Sequence, residues 1–134
     1  MNIADHVARV ARARPDHAAV IFEGRTLTYG VLDYCANALA DAMTRRGIAR
    51  GDRVAIYLPN IPAFALAYVA IQKAGAIAVS VNAIFKSGEV KYILEDSGAK
   101  MVFTSAEIAA NVPQAECRAL EHVVCCEGSA PGTA

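Results

Sequence analysis

Apolar residues in the first part of the chain recur with the spacing of an amphipathic helix. Ile3, Val7 and Val10 share one helical face, Asn2 precedes them as an N-cap, and Pro15 stops the helix just beyond Arg14. The chain is therefore predicted to open with a short amphipathic helix.

The next forty residues predict a hairpin followed by a longer helix. An apolar run at 18–22 and an extended run at 25–27 flank the turn-forming pair Glu23 and Gly24, which predicts a tight hairpin. Thr28 then caps a second helix that ends at Gly47, where glycine suits a left-handed C-cap and Ile48 supplies its apolar contact. The apolar positions of that helix are Leu32, Cys35, Ala36, Leu39 and Met43.

Beyond Gly51, short apolar runs alternate with helical segments. The four runs predicted as strands are Val54 to Leu58, Ala76 to Val81, Lys100 to Thr104 and His122 to Cys126. The helices between them are predicted to run from Asn60 to Ala74, from Ser87 to about Asp96, and from Ser105 with an interruption at Pro113. Strands joined through helices need crossover connections, so the fold class is α/β, a largely parallel sheet with helices on both faces. The helix around Ile61 to Ile71 is apolar on every side and is predicted to be the most buried.

Composition and charge narrow the class of protein. The 134 residues suit one domain, and 55% hydrophobic against 19% charged residues excludes disorder. Thirteen basic residues balance thirteen acidic ones without a basic run, so no nucleic-acid partner is expected. The first residues have no apolar signal region, and the run from Ile61 to Ile71 is too short for a transmembrane segment. A cytoplasmic location is expected.

The loops after the four strands are the place to look for chemistry, because ligands of open parallel sheets bind outside the carboxyl ends of the strands. These loops carry neither a dinucleotide-binding nor a P-loop glycine motif. Lys86 follows a strand end and precedes the helix start at Ser87, where an anion would meet both a positive charge and free N–H groups. Lys86 is therefore the candidate ligand-binding residue.

Other titratable residues are expected to play structural roles. The cysteines form no C-x-x-C pair, so they are expected to be small buried hydrophobes in a reducing compartment, and no metal site is expected. The histidines lie far apart in sequence, and the carboxylate pairs Asp33 with Asp41 and Glu95 with Asp96 fit solvated helix faces. No catalytic residue is assigned. The cysteines are Cys35, Cys117, Cys125 and Cys126, and the histidines are His6, His17 and His122.

An ordered series of short motifs carries a family resemblance. The series is Thr26 to Tyr29, Gly47-Ile48, Gly51 to Ile56, Leu58-Pro59-Asn60, Gln72 to Ala76, Asn82, Ser87 to Glu89, and Leu94 to Ala99. From Ile3 to about Cys126, the chain resembles the amino-terminal part of the adenylate-forming enzymes, the AMP-dependent acyl-CoA synthetases and ligases. The resemblance implies an incomplete amino-terminal portion of the adenylate-forming fold.

The family resemblance also implies a reaction and its cofactors. In such enzymes a carboxylate and Mg²⁺-ATP give an acyl-adenylate and pyrophosphate, and coenzyme A then displaces AMP. A fatty or other hydrophobic acid is the preferred substrate class. The family's phosphate loop is absent from this sequence, so the chain alone is expected to be inactive. It is also expected to lack a complete binding site for ATP, for Mg²⁺ and for CoA. Where relatives place a basic residue against the CoA phosphates this chain has Ile84, and Lys86 is the nearest substitute.

The resemblance leaves two functional hypotheses open. In the first, residues 1–127 are the amino-terminal segment of an AMP-binding domain, residues 128–134 are a linker or truncated end, and the rest of that domain is the partner. In the second, the chain is a stand-alone, non-catalytic α/β interaction module derived from the same fold. Low net charge and apolar surface without its sister subdomain lead us to expect self-association or partial molten character in the isolated chain.

Overall fold

The computed structural model describes residues 2–126, which form two compact units. The first unit contains residues 2–51 and 60–76, and the second contains residues 52–59 and 77–126. The closing segment 128–134, expected to be a linker or truncated end, lies outside the described residues. Within residues 2–126, no helix combines the length and the apolar character needed to cross a bilayer.

The first unit begins with helix α1 (Ile3–Ala13) and a two-stranded antiparallel hairpin of β1 (Ala18–Phe22) and β2 (Arg25–Thr28). The predicted N-cap is confirmed, because Asn2 Oδ1 accepts the Ala4 N–H at 2.9 Å. Asp5 returns the bond by accepting the Asn2 N–H at 2.9 Å, which completes a capping box. Glu23 and Gly24 both have positive φ, 51° and 77°, as a type I′ hairpin turn requires.

Helix α2 (Tyr29–Arg45) begins and ends where its sequence predicts. Thr28 Oγ1 accepts the Val31 N–H at 3.2 Å at its start. At its end Gly47 has φ +92°, and the Ile48 N–H donates to Met43 O at 3.1 Å while the Ile48 side chain is buried. This is the predicted glycine C-cap with its apolar contact.

Helix α3 (Pro62–Lys73) packs with α1 and α2 in the same unit. Every residue of α3 is buried or half-buried, whereas each other α-helix in residues 2–126 has exposed positions, so the prediction of the most buried helix is confirmed. The predicted start at Asn60 is two residues early. Pro62 occupies the first helical position, where its missing N–H leaves no hydrogen bond unmade, and Ile61 is the N-cap.

The second unit is a four-stranded parallel sheet. Its strands are β3 (Arg53–Tyr57), β4 (Ile77–Ser80), β5 (Met101–Thr104) and β6 (His122–Cys125), in the spatial order β4-β3-β5-β6. All three strand pairs are parallel, and each strand overlaps its predicted run, so the predicted parallel sheet is confirmed.

Helix α4 (Ser87–Ser97) supplies the apolar cover of one face of this sheet. Its Val90 and Leu94 pack in a cluster with Ala55, Tyr57 and Val102, and all five side chains are at most 1% exposed. On the opposite face of the two central strands, Val54, Ile56, Met101 and Phe103 are also at most 1% exposed. Burial on both faces explains why the central strands are apolar throughout.

The segment after β5 differs from its prediction. In place of a helix starting at Ser105, the chain makes two 3₁₀ turns, Ala109–Asn111 and Gln114–Glu116. Ser105 O accepts the Ala109 N–H at 2.9 Å, so a single helical turn forms and then stops. Pro113 limits the length of any helix here, because it has no N–H to continue one and disfavours helical geometry at Val112, and the two turns carry the chain from β5 to β6.

Candidate functional site

The loop between β4 and α4, residues 81–86, lies at the carboxyl edge of the sheet and carries Lys86. Asn82 organises the loop: its carbonyl oxygen accepts the Phe85 N–H at 3.0 Å, and its Oδ1 accepts the Ile84 N–H at 3.1 Å. Such an Asx turn fixes a short loop through local hydrogen bonds. Ile84, at the position where the family resemblance implies a CoA contact, is 76% exposed.

Lys86 is the N-cap residue of α4 and is exposed. Within residues 2–126 its ammonium group has no ion-pair partner, so the charge is available to an anion. The backbone N–H of Lys86 is taken, because it donates to Glu89 Oε1 at 2.9 Å. The start of α4 therefore brings together the Lys86 ammonium and the Glu89 carboxylate, and the carboxylate neutralises part of the helix dipole.

Two shallow open grooves flank the exposed Tyr92 on α4. Phe85, Gly88, Glu89 and Ile93 line one of them, which is the more apolar of the two. Gly88 contributes to both grooves, and a Cβ added there would meet no atom within 4 Å. Because both grooves are open surface depressions, they supply no enclosed, water-excluding site.

Buried polar groups gather at the ends of β3 and β5. The hydroxyl of Tyr57, a residue with no exposed surface, donates to Phe85 O and accepts from Asn111 Nδ2 at 3.1 Å. The hydroxyls of Thr104 and Ser105 are buried and have no hydrogen-bond partner within the described residues. Sequence reasoning missed all of these groups, and the signal for Tyr57 was a single phenol at the end of an otherwise aliphatic strand.

Three of the four carboxylates that the sequence places in pairs contact basic side chains or a backbone N–H group and not each other. Asp41 forms an exposed ion pair with Arg45 at 2.7 Å, and Glu95 accepts the Arg118 N–H at 3.2 Å. The expectation of a solvated face is wrong for Asp33, whose side chain is 20% exposed and contacts Lys73 Nζ at 2.7 Å. Helix α3 brings that lysine to α2, a tertiary contact that helical spacing could not reveal.

The histidines form no catalytic cluster. His6 Nδ1 contacts the Arg9 guanidinium at 2.9 Å, and His17 stacks on Tyr29 with ring centroids 6.2 Å apart. His122 Nε2 lies 3.9 Å from Glu121 Oε1. Among the residues that the structure describes, no three His, Cys, Asp or Glu side chains come together in a way that could hold a metal ion.

All four cysteines are free thiols, but only Cys117 is fully buried. The others are half-buried, so the prediction of buried cysteines holds strictly for Cys117 alone. Burial raises the pKa of the Cys117 thiol, and the nearby carboxylates of Glu95 and Glu116 raise it further.

The raised pKa of Cys117 predicts that the stability of the fold depends on pH and that this thiol reacts slowly. A thiol whose folded pKa lies above its unfolded value stabilises the fold below the unfolded pKa, and this contribution is lost as the pH rises through the folded pKa. We therefore expect the midpoint of urea unfolding to fall in alkaline solution, and a Cys117→Ala variant to show less of this fall.

The burial of Cys117 also predicts a slow reaction with external reagents. At pH 8 a thiol-reactive dye should label Cys117 more slowly than Cys35. Equal labelling rates would contradict the assignment.

Sequence comparisons with known proteins place the chain in a family. Residues 7–132 match the family model described as AMP-binding enzyme. The chain is 32% identical over 111 residues to 3-hydroxybenzoate–CoA ligase of Aromatoleum sp. (strain CIB), which covers 81% of this chain and 21% of that protein. It is 38% identical over 103 residues to medium-chain fatty-acid–CoA ligase of Escherichia coli (strain K12), covering 76% of this chain and 18% of that protein.

A solved structure extends the agreement to three dimensions. The N-terminal domain of FACL13 from Mycobacterium tuberculosis superposes with a TM-score of 0.86 at 32% identity, covering 94% of this chain and 34% of that one. The chain thus spans about a fifth of the length of the curated relatives described above. The family resemblance seen in the sequence is confirmed: this chain belongs to the AMP-binding enzyme family and corresponds to the amino-terminal part of its acyl-CoA ligases.

Proposed function

We propose that residues 1–127 are the amino-terminal segment of the AMP-binding domain of an ATP-dependent acyl-CoA synthetase. In the first step a carboxylate oxygen of the acid attacks the α-phosphorus of Mg²⁺-ATP, forming the acyl-adenylate and releasing pyrophosphate. In the second step the thiol of CoA attacks the acyl carbon and AMP leaves. The observation that carries the proposal is the match of residues 7–132 to the family model.

The proposed substrate is a fatty or other hydrophobic carboxylic acid. The two curated relatives described above are named for a medium-chain fatty acid and for 3-hydroxybenzoate, both of which have an apolar body and one carboxylate. The two grooves on α4 are open surface depressions that would not enclose an acyl chain, so we assign the acyl pocket to the rest of the domain. The free thiols suit the cytoplasmic location that belongs to the same proposal.

In this proposal the chain contributes a scaffold and at most one contact to a cofactor. The groups that bind ATP and Mg²⁺ are assigned to the rest of the domain, because this sequence has no glycine-rich phosphate loop. An anionic phosphate of CoA does fit Lys86, whose exposed ammonium has no ion-pair partner in residues 2–126. CoA supplies the thiol that receives the acyl group, and Lys86 would hold one of its phosphates from the β4–α4 loop.

A chimera tests the proposal directly. The chain replaces the equivalent amino-terminal segment of the Escherichia coli medium-chain fatty-acid–CoA ligase, its 38% identical relative. We expect no carboxylate-dependent ATP–pyrophosphate exchange from the isolated chain and measurable exchange from the chimera. The relative without its amino-terminal segment is the negative control, and light scattering reports the oligomeric state of each protein.

Two results would contradict the proposal. Exchange by the purified chain alone would show that it carries an active site of its own. A chimera that folds but remains inactive, with an isolated chain that is a monodisperse, cooperatively unfolding monomer, would favour the stand-alone interaction module.

The role of Lys86 is tested in the same chimera. Lys86→Ala should raise the KM for CoA about three- to tenfold, the effect of losing one partly solvated charge contact, and should leave ATP–pyrophosphate exchange unchanged. Lys91→Ala is the matched control, because this lysine lies on the same helix and already pairs with Glu116 at 3.2 Å. Equal KM values for CoA in the two variants would show that Lys86 does not contact CoA.

A further inference from the structure

The strongest unassigned feature is the buried phenol of Tyr57. A buried tyrosine hydroxyl needs hydrogen-bond partners, and this one has two on separate segments of the chain. It donates to Phe85 O, directly before Lys86, and accepts from Asn111 Nδ2 in the first 3₁₀ turn after β5. One side chain of β3 thus joins the sheet to the β4–α4 loop and to the β5–β6 connection.

The geometry of the loop shows why this bond matters. At its start the loop is held by the strand ladder, where the Val81 N–H donates to Ile56 O at 2.9 Å. Its middle is held by the turn that Asn82 makes with Ile84 and Phe85. Two contacts join this turn to the sheet: the half-buried Phe85 side chain packs against the core cluster, and Phe85 O accepts the hydrogen bond from the Tyr57 hydroxyl.

We propose that Tyr57 is a positioning residue, whose hydroxyl holds the β4–α4 loop and thereby sets where Lys86 presents its charge. The identity of the ligand, a phosphate of CoA, rests on the proposed function. The positioning of the loop does not depend on it. A lysine on a loop that is already ordered loses less conformational entropy when it binds. Tyr57 therefore contributes to CoA affinity without contacting CoA.

Amide hydrogen exchange tests the positioning in the chimera, because the isolated chain is expected to self-associate or to be partly molten. Tyr57→Phe keeps the buried ring and removes only the hydroxyl, and Asn111→Ala removes the second partner. We expect the amides of Ile84, Phe85 and Lys86 to exchange at least about fivefold faster in Tyr57→Phe, with a smaller increase in Asn111→Ala. Tyr92→Phe, which alters an exposed phenol on α4, is the matched control. Unchanged rates in Tyr57→Phe, or loop amides that already exchange freely in the unmodified chimera, would overturn the proposal.

Kinetics in the chimera separate positioning from a general loss of stability. Tyr57→Phe should raise the KM for CoA severalfold and leave ATP–pyrophosphate exchange unchanged. Val54→Ala, at the opposite end of the same strand, should lower stability without altering the KM for CoA. An equal rise in KM in both variants would reduce Tyr57 to a purely structural residue.

The two proposals can fail separately. If Tyr57→Phe loosens the loop but Lys86→Ala leaves the KM for CoA unchanged, the role assigned to Lys86 is wrong and the loop positioning stands. If Lys86→Ala raises the KM while Tyr57→Phe alters neither loop exchange nor KM, the positioning proposal is wrong and the CoA contact stands.

Discussion

Replacing Leu94 with alanine should lower the free energy of unfolding by about 3–4 kcal/mol, in the middle of the range for buried leucines. Leu94 is 1% exposed and lies in the cluster that joins α4 to the sheet, with Val90 and Val102. Truncation of Leu94 leaves a cavity between α4 and the sheet. The strands that flank α4 in the chain hold both elements in place, so we expect the surrounding side chains to fill little of this cavity. A loss of this size is a large part of a domain's net stability.

Urea unfolding of the chimera, followed by circular dichroism, measures the effect of Leu94→Ala. Tyr92→Ala is the matched control on the same helix, because Tyr92 is 70% exposed and its truncation should change stability by less than about 0.5 kcal/mol. If the two variants unfold at the same urea concentration, α4 does not cover the sheet as described.

The second large effect concerns the ion pair between Asp33 of α2 and Lys73 of α3. The two side chains are 20% and 14% exposed, and their charged atoms are 2.7 Å apart. Lys73→Met should lower the free energy of unfolding by about 2–4 kcal/mol, because it leaves the Asp33 carboxylate half-buried without its counter-charge. Residual solvent access keeps the effect below that of a fully buried pair.

A double variant distinguishes the ion pair from simple packing. Asp33→Asn combined with Lys73→Met should recover most of the lost stability, since the amide has nearly the shape of the carboxylate and the double variant contains no unpaired charge. Arg45→Met is the control, because it breaks the exposed pair with Asp41 and should change stability by less than about 1 kcal/mol. Additive losses in the double variant would show that the two charges are not coupled.

Much of the candidate site lay beyond sequence reasoning. The position of Lys86 at a strand end before a helix was predicted, since it follows from chain order alone. That Glu89 occupies its backbone N–H depends on a side-chain rotamer, and that Tyr57 fixes the loop depends on three segments meeting in space. No local pattern encodes such a meeting, so the residues that shape the loop were invisible before the fold was known.

The sequence by itself determined the local elements and the fold class of this protein. Asn2, Thr28 and Gly47 mark helix ends through bonds to their nearest neighbours, and Glu23-Gly24 closes its turn through its own backbone angles, so these features follow from short-range chemistry. Alternation of apolar runs with helices likewise required a parallel sheet.

Only the tertiary structure decided the strand order β4-β3-β5-β6, the pairing of Asp33 with Lys73, and the replacement of a helix after Ser105 by two 3₁₀ turns. The physical reason is the same in each case. Strand order and the ion pair join residues far apart in sequence, and the turns after Ser105 follow the path of the chain between β5 and β6. These features are set by which surfaces meet in the folded chain, and a hydrophobic pattern records that a position is buried but not what it is buried against.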